Sequence, residues 1–396
     1  MKILIITVIS SLLLMFVSCD NKAPQKIETT NQTDMSDNGE NLSERDETTD
    51  IADYSDKIAA LLSDKTGFVS RSIPLDRRYT AFTYKNKLYL YLNYHLYEMN
   101  FATGKLQRIC RDPLCQHTNS NTCLAISHYL SFYVDNGNVY VLGEYQKNHD
   151  GFRYIGTLDP EAGSRTIIYD WDGSVSANSN SFECHDGYLY YVKEYSDTTN
   201  ALYRYSIDSN KEERLSGTDE YIAVFTVSDD MVYYRNVYGI LKAAPLDFSE
   251  VTEIDDKAGI MFVADGYLYY TEDLFDENGN QNSYNLLRVP ISDVTAAPEA
   301  VIRDTANASD ILYCDGTFYY TLKTYIDDKT IYAYNPTTGQ TQMWSTDYGA
   351  RCMVTAVIDE LLVLEIRTEP DENGDIFIEC YIFDTTSNEL IPLILD

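Results

Sequence analysis

Cys184-His185-Asp186-Gly187-Tyr188-Leu189-Tyr190-Tyr191 places an Asp-Gly pair between two runs of strand-forming residues. This pattern predicts two antiparallel strands joined by a tight turn, because Asp and Gly tolerate the backbone angles that a two-residue hairpin needs. Turns of this kind stand at positions 86, 136, 186, 229, 265, 315 and 359, a spacing of 36 to 50 residues that is typical of propeller blades. The other copies are Lys85–Tyr89, Asn136–Tyr140, Asp229–Tyr234, Ala264–Tyr270, Cys314–Tyr320 and Asp359–Leu362.

Each repeat has room for four strands, which around Asp186 are predicted at 181–185, 188–194, 201–207 and 212–215. The sequence therefore predicts an all-β protein in which residues 67–396 form a β-propeller of seven four-stranded blades, with six or eight blades as the alternatives. No strand is expected to pass between the termini to close the ring, and Phe68–Ile73 is the segment that could supply one. The predicted blades are Thr80–Ile109, Leu130–Tyr169, Ser181–Leu215, Ala223–Ile254, Ile260–Ile302, Ile311–Trp344 and Cys352–Leu395.

The first nineteen residues have the composition of a secretion signal. Lys2 precedes an apolar run over Ile3–Val17, which is too short to favour a membrane-spanning helix. Phe16-Val17-Ser18-Cys19 resembles the bacterial lipobox, although Phe16 replaces the usual Leu. That resemblance implies a lipoprotein signal peptide over 1–19, cleavage before Cys19 and diacylation of the Cys19 thiol. The alternative is an ordinary signal peptide with an unmodified Cys19.

Residues 20–50 are polar and acidic with almost no large apolar side chain, which predicts a disordered tether. Ile51, Tyr54, Ile58, Leu61 and Leu62 then recur at helical spacing, which predicts a short helix over 51–66. We expect a cell-surface protein held at the membrane by its N-terminal lipid and exposed outside the cytoplasm.

The chain is strongly acidic, with 62 Asp and Glu against 30 Lys and Arg and a formal charge of -32. Such a surface repels nucleic acid and anionic lipid headgroups, so neither is an expected partner. The charge is typical of a well-solvated protein surface.

Tyrosine occurs 35 times, often as doublets in the second strand of a repeat. Because neighbouring strand residues point to opposite faces, each doublet is expected to pack against both adjacent blades. Aromatic residues near the loops between second and third strands are better candidates for a binding rim, since these loops share one end of a propeller. They are Tyr145, Phe152, Tyr195, Phe275, Tyr284 and Tyr325.

From Thr80 to the C-terminus the chain resembles two groups of propellers. Tyr267-Leu268-Tyr269-Tyr270-Thr271-Glu272, followed by Leu287–Asp293, is similar to the repeat of the YWTD propellers of the low-density-lipoprotein receptor family. Val232–Arg235, followed by Leu241–Asp247, has the same form, which also resembles TolB-like and other propeller domains of bacterial lipoproteins. The strict Trp-Thr-Asp is absent, and YWTD propellers have six blades. The resemblance implies a propeller and no particular function.

A cysteine and histidine insert over 110–123 is the main cluster of residues that could bind a metal or form a disulfide. Cys110, Cys115, His117 and Cys123 could complete a closed tetrahedral site for one structural zinc ion. A disulfide between two of the cysteines is an equal alternative, because the chain is expected to be exported. Neither interpretation supplies a catalytic residue, and a structural role is favoured.

We expect a binding or interaction module for a protein, peptide or glycan. No nucleophile elbow, phosphate-binding loop or dinucleotide fingerprint occurs, so no catalytic or cofactor-binding residue is predicted. One alternative is a polysaccharide- or peptide-processing enzyme with carboxylates around the propeller axis. The other is a structural subunit of an envelope complex, which predicts a broad apolar patch.

Overall fold

A computed structural model of the chain describes twenty-nine short strands, one α-helix and one 3-10 helix. The described residues are 47–62, 73–74, 81–85, 87–92, 95–112, 114–116, 123–126, 128–135, 137–147, 150–170, 177–196, 199–217, 221–275, 281–305, 311–321, 330–345, 351–367 and 378–393. The predicted signal peptide, Cys19 and most of the predicted tether lie outside them, as do 63–72. Among the described residues no helix is both long and apolar enough to cross a membrane.

Seven antiparallel sheets of four consecutive strands follow one another along the chain, which confirms the prediction of seven blades. In blade one they are β2 (Ala81–Tyr84), β3 (Lys87–Leu92), β4 (His95–Asn100) and β5 (Lys105–Arg108); in blade two β6 (His128–Asp135), β7 (Asn138–Lys147), β8 (Asp150–Asp159) and β9 (Ser164–Asp170); and in blade three β10 (Ala177–His185), β11 (Tyr188–Ser196), β12 (Thr199–Ser206) and β13 (Lys211–Arg214).

Blades four to seven have the same order. Blade four has β14 (Ile222–Ser228), β15 (Met231–Asn236), β16 (Leu241–Pro245) and β17 (Thr252–Asp255); blade five has β18 (Ala258–Ala264), β19 (Tyr267–Phe275), β20 (Gln281–Pro290) and β21 (Glu299–Thr305); blade six has β22 (Leu312–Cys314), β23 (Thr317–Thr321), β24 (Thr330–Asn335) and β25 (Gln340–Ser345); and blade seven has β26 (Arg351–Ile358), β27 (Leu361–Arg367), β28 (Ile378–Asp384) and β29 (Glu389–Pro392).

The predicted Asp-Gly turns join the first and second strands. Asp186 and Gly187 have φ angles of 48° and 77°, the left-handed geometry of a hairpin turn. Gly187 is suited to this position because a larger residue is strained at that φ. The equivalent first turn residue has φ between 46° and 51° in five further blades, at Lys85, Asp229, Asp265, Asp315 and Asp359.

The tyrosine doublets pack on both sides of their blades, as predicted. Tyr191 is buried in the cluster between blades two and three, whereas its neighbour Tyr190 is buried between blades three and four. Tyr269 and Tyr270 divide in the same way between the two sides of blade five. Stacking in a ring therefore buries both faces of a blade that could not be stable alone.

The ring closes by side-chain packing between blades seven and one. Helix α1 (Glu47–Leu62) contributes Ile58 and Leu62 to this cluster, where they join Leu106 and Ile391. The helix starts before the predicted 51–66 and includes the last residues of the predicted tether. The short strand β1 (Ile73–Pro74) pairs with β22 of blade six, so it does not close the ring.

Candidate binding face and cysteine cluster

The alternating strand directions give the propeller two different ends. The turns between first and second strands and between third and fourth strands share one end, which we call the turn face. The loops between second and third strands and the connections between blades share the other end, which we call the loop face.

On the turn face, hydrogen bonds link neighbouring blades. The Cys184 thiol of blade three donates to Asp135 Oδ2 of blade two at 3.7 Å. The Tyr313 hydroxyl of blade six donates to the Asp265 carboxylate of blade five. Burial, reinforced by the Asp265 carboxylate, raises the pKa of Tyr313 well above its usual value. These partly buried contacts link the turns of neighbouring blades.

A cleft of about 750 Å³ lies at the turn face between blades six and seven. Its walls are strand β25 and two turns of blade seven, one of which is fixed by hydrogen bonds from Thr385 N and Oγ1 to the Glu360 carbonyl at 3.1 and 2.7 Å. Met343 is 64% exposed at its edge. The lining residues are Tyr319, Gln342, Met343, Trp344, Asp359, Glu360, Leu362, Thr385 and Thr386.

The loop face exposes large apolar side chains on three consecutive blades. Tyr195 of blade three is 45% exposed, Tyr238 of blade four 82% and Phe275 of blade five 60%. Each lies at the end of a second strand or in the loop that follows it. Large apolar side chains are more often buried, so the exposure of three of them at the same end of adjacent blades distinguishes this face. We call these three residues the aromatic rim.

Tyr238 is presented by a tightly bonded turn. The buried Asn236 side chain accepts hydrogen bonds from Tyr238 N at 2.9 Å and Ile240 N at 3.1 Å. Gly239, with φ of 84°, accepts a 3.0 Å hydrogen bond through its carbonyl from Ala258 N of blade five. The turn is therefore fixed both to its own strand and to the next blade.

Tyr195 stands at a bulge, because the pairing of β11 with β12 shifts between Glu194 and Ser196. Its hydroxyl contacts that of Tyr203, whose ring lies 4.6 Å from the Lys193 ammonium. A bulge turns an extra residue away from the regular ladder, which places this side chain at the surface.

Below Tyr195, the fully buried Asn200 joins blade three to blade four. Its Nδ2 donates to the Ile222 carbonyl and its Oδ1 accepts from Ile222 N, both at 2.8 Å. The base of the aromatic rim is thus fixed across a blade boundary.

Two of the six aromatic residues predicted as rim candidates are exposed at this end. Tyr195 and Phe275 are exposed, whereas Tyr284 is only half-exposed within β20. Tyr325 and the side chains of Tyr145 and Phe152 lie outside the described residues. Tyr238, which the sequence prediction omitted, is the most exposed tyrosine of the rim. The signal that could have found it is the Val237-Tyr238-Gly239 turn in the shortest repeat.

The predicted cysteine cluster is assembled in the connection from blade one to blade two. The Sγ atoms of Cys110, Cys115 and Cys123 all lie within 4.8 Å of one another. Cys123 is buried, and the other two are half-buried. Burial and the neighbouring thiols raise the pKa of Cys123 to about 12. The fourth predicted ligand, His117, lies outside the described residues.

The remaining described cysteines form no disulfide and are buried in strands, as expected of small apolar side chains. They are Cys184, Cys314, Cys352 and Cys380. Within the described part of the chain, Cys110, Cys115 and Cys123 form the only group of three possible metal ligands.

A half-buried carboxyl group near the loop face belongs to Asp273 on β19. Burial raises the pKa of Asp273, and the Arg235 charge acts in the opposite direction. The charged group that acts on Asp273 is thus a cation, Arg235. This arrangement differs from two carboxyls that share a site, which is the arrangement expected for acid–base catalysis on a glycan.

Comparison with protein-family models gives no match, and comparison with curated protein sequences gives none either. Among solved structures, the chain is similar to an oligogalacturonate lyase in complex with manganese, with TM-score 0.51 and 8% identity over 80% of this chain and 89% of that chain. It also matches the computationally designed Ika8 protein, with TM-score 0.45 and 11% identity over 83% and 87% of the two chains. At these identities the likeness to the lyase supports the propeller fold alone.

Proposed function

We propose that the protein is a lipid-anchored, extracytoplasmic binding module whose aromatic rim takes up a segment of a protein partner. The observation that carries the proposal is the exposure of Tyr195, Tyr238 and Phe275 at one end of three adjacent blades. The turn beneath Tyr238 and the Asn200 contact below Tyr195 hold two of the three in place. These contacts fix the backbone beneath the rings, and an aromatic side chain with few rotatable bonds loses little conformational freedom on binding, which makes it an effective anchor.

A protein segment is the occupant that these residues favour. Aromatic side chains are enriched in the centre of protein interfaces, where charged residues are depleted. The formal charge of -32 favours a partner with a positively charged surface, because opposite charges accelerate encounter. A basic segment with apolar side chains combines both requirements.

The proposed location depends on the N-terminus. Cys19 follows the apolar segment Ile3–Val17, and its acylation would hold the propeller at the membrane. Metabolic labelling with a palmitate analogue tests this directly. We expect label on the wild type and none on Cys19→Ala; label on both proteins would contradict Cys19 as the attachment site.

The rival function is an enzyme that acts on polysaccharide, and the solved oligogalacturonate lyase of similar fold names a substrate with which to test it. Manganese prefers oxygen and nitrogen ligands, whereas the three-ligand group among the described residues consists of thiols. An assay of oligogalacturonate cleavage with added manganese separates the two functions. Turnover that survives purification by two independent routes would support the enzyme.

The binding proposal is tested with a displayed library of random peptides panned on the full chain. We expect enriched peptides that carry apolar and basic residues and that bind the Tyr238→Ala, Phe275→Ala double variant at least tenfold more weakly. Met343→Ala is the matched control, because Met343 is similarly exposed but lies at the turn-face cleft. It should bind like the wild type.

Two results would overturn the peptide proposal. Peptides that bind the double variant as well as the wild type would place the site elsewhere. A glycan array read in parallel could instead give ligands that depend on Tyr238 and Phe275 while no peptide does, and the rim would then be a glycan site. A third result would favour a structural subunit of an envelope complex: neither peptides nor glycans bind, and other subunits co-purify with the wild type but not with the double variant.

A further inference from the structure

The three cysteines of the insert converge more closely than a disulfide explains. Tetrahedral zinc holds thiolates at about 2.3 Å, which separates two sulfurs by roughly 3.8 Å. The three Sγ atoms here all lie within 4.8 Å of one another, so a small inward movement would produce that arrangement. A disulfide joins two sulfurs at about 2.05 Å and leaves the position of the third unexplained.

The local structure holds each thiol in place. Ile109, which precedes Cys110, is fully buried and donates a 3.2 Å hydrogen bond to the Leu96 carbonyl of β4. Cys115 N donates to the Asp112 carbonyl at 3.1 Å, and Asp112 Oδ1 accepts from Leu114 N at 2.9 Å. These contacts close a turn that returns Cys115 towards Cys110.

The third thiol comes from the far end of the insert. Cys123 begins the 3-10 helix Leu124–Ile126, through a 3.4 Å hydrogen bond from Ile126 N to its carbonyl. The Tyr129 hydroxyl, at the start of blade two, fixes this helix by donating to the Leu124 carbonyl at 3.1 Å. Three separate parts of the insert thus bring one sulfur each to a common point.

The other cysteines provide the contrast. Cys314 and Cys352 share one buried cluster, yet no group of three ligand atoms forms around them in the described residues. Burial alone therefore does not produce the arrangement at the insert.

We propose that Cys110, Cys115 and Cys123 bind one zinc ion, which fixes the insert to the seam between blades one and two. Each thiol loses its proton to solvent as its bond to zinc forms, and no electron is transferred. The ligands are soft thiolates, which favour zinc over manganese, magnesium or calcium. The ion would connect residues that are otherwise joined only by hydrogen bonds and apolar contacts.

The test uses the full chain, purified under reducing conditions and then supplied with zinc or with cobalt as a spectroscopic substitute. We expect one zinc per chain by elemental analysis and, with cobalt, thiolate charge-transfer absorption with the strong visible bands of a tetrahedral ion. Cys115→Ala should weaken zinc binding by more than the ~100-fold that changes in outer-shell partners typically cost. Cys380→Ala is the matched control, because it removes a buried strand thiol, and it should bind zinc like the wild type.

Less than stoichiometric zinc on the fully reduced chain would overturn the proposal, as would zinc that remains in the Cys115→Ala variant. A mass two hydrogens lower, with the disulfide mapped within the insert, would assign the cluster to a disulfide instead. If the variant fails to fold, alkylation of the wild type still decides. Zinc should protect Cys110, Cys115 and Cys123, and a chelator should make them reactive. Equal labelling of these thiols with and without chelator would contradict the site.

Discussion

The two ends of the propeller use the same amino acid for opposite purposes. At the turn face, tyrosines such as Tyr313 are buried and bonded to a carboxylate of the next blade. At the loop face, Tyr238 is 82% exposed while its backbone is fixed by Asn236. The aromatic side chains of the turn face are buried and stabilise the fold, whereas those of the loop face are exposed to solvent. The contacts between blades at the turn face are thus structural, and the exposed side chains of the loop face are the candidates for function.

The largest expected difference between the two groups of tyrosines is in stability. Tyr269 is buried against Phe262, Tyr313 and Phe318, so Tyr269→Ala should lower the free energy of unfolding by about 3–5 kcal/mol through loss of packing. Tyr238→Ala should change it by less than about 0.5 kcal/mol. Urea unfolding followed by circular dichroism measures both. Similar losses from the two substitutions would contradict the division between the faces.

Zinc removal should destabilise the loop-face insert selectively. At free zinc one hundredfold above its dissociation constant, binding adds about 2.7 kcal/mol to the free energy of unfolding. A chelator should remove this increment from the wild type and from Cys380→Ala, and change nothing in Cys115→Ala. Thermal melts with and without chelator give the comparison. An unchanged melting temperature in the wild type would count against a stabilising metal.

The asparagine turns allow a matched pair between the faces. Asn236→Ala removes the acceptor of Tyr238 N and Ile240 N on the loop face, and Asn335→Ala removes the acceptor of Thr337 N and Thr338 N, both at 3.0 Å, on the turn face. Asn236→Ala should cost about 1–2 kcal/mol, because two partly buried backbone donors lose their partner, and Asn335→Ala should cost less, because its donors are exposed and can bond to water. Only Asn236→Ala should also weaken peptide binding, since it alone frees the turn that carries Tyr238. If both variants bind the peptide equally well, the fixed turn beneath Tyr238 is not required for binding.

The smallest expected effects are on the pH dependence of stability, and they have opposite signs for one carboxyl group at each end of the propeller. Burial raises the pKa of Asp273, so the folded state favours the protonated form, and stability increases as the pH falls through that raised pKa. Asp273→Asn should therefore raise the urea midpoint at neutral pH, with a gain that shrinks in acid.

Asp247, at the turn face, is the control with the opposite sign. A hydrogen bond from the Ser249 side chain lowers the pKa of Asp247, so its stabilising contribution is present at neutral pH and is lost in acid. Asp247→Asn should accordingly lower the urea midpoint at neutral pH and have little effect in acid. The same direction of change for both variants would contradict these assignments.

The sequence predicts the turn face better than the loop face for a physical reason. Asp186-Gly187 and its copies need special backbone angles, and the Tyr190-Tyr191 doublet follows the two-residue period of a strand, so both leave local patterns. The blade count and the two-sided packing followed from them. The exposure of Tyr238 depends instead on how blade four meets blade five, through the hydrogen bond from Ala258 N to Gly239. The Val237-Tyr238-Gly239 turn is a local signal for the loop, but no local pattern encodes that contact between blades.

The sequence predicts the cysteine cluster less fully than the turns but better than the exposure of Tyr238. The spacing of Cys110, Cys115 and Cys123 predicted a common site, and their convergence agrees with it. The choice between metal and disulfide depends on sulfur positions, which spacing leaves open. The predicted start of the helix, at residue 51, is later than the observed start. Helix α1 begins at Glu47, within a polar stretch in which apolar periodicity is too weak to mark a start.

Hydrogen exchange of the full chain, with and without a peptide selected on the wild type, tests the central claim most directly. If the loop face is the binding face, the peptide should slow exchange at residues 237–240 and around Tyr195, and leave the Asp-Gly turns unchanged. Slower exchange at β25 and the turns of blade seven, with none at 237–240, would place binding in the turn-face cleft and contradict the account.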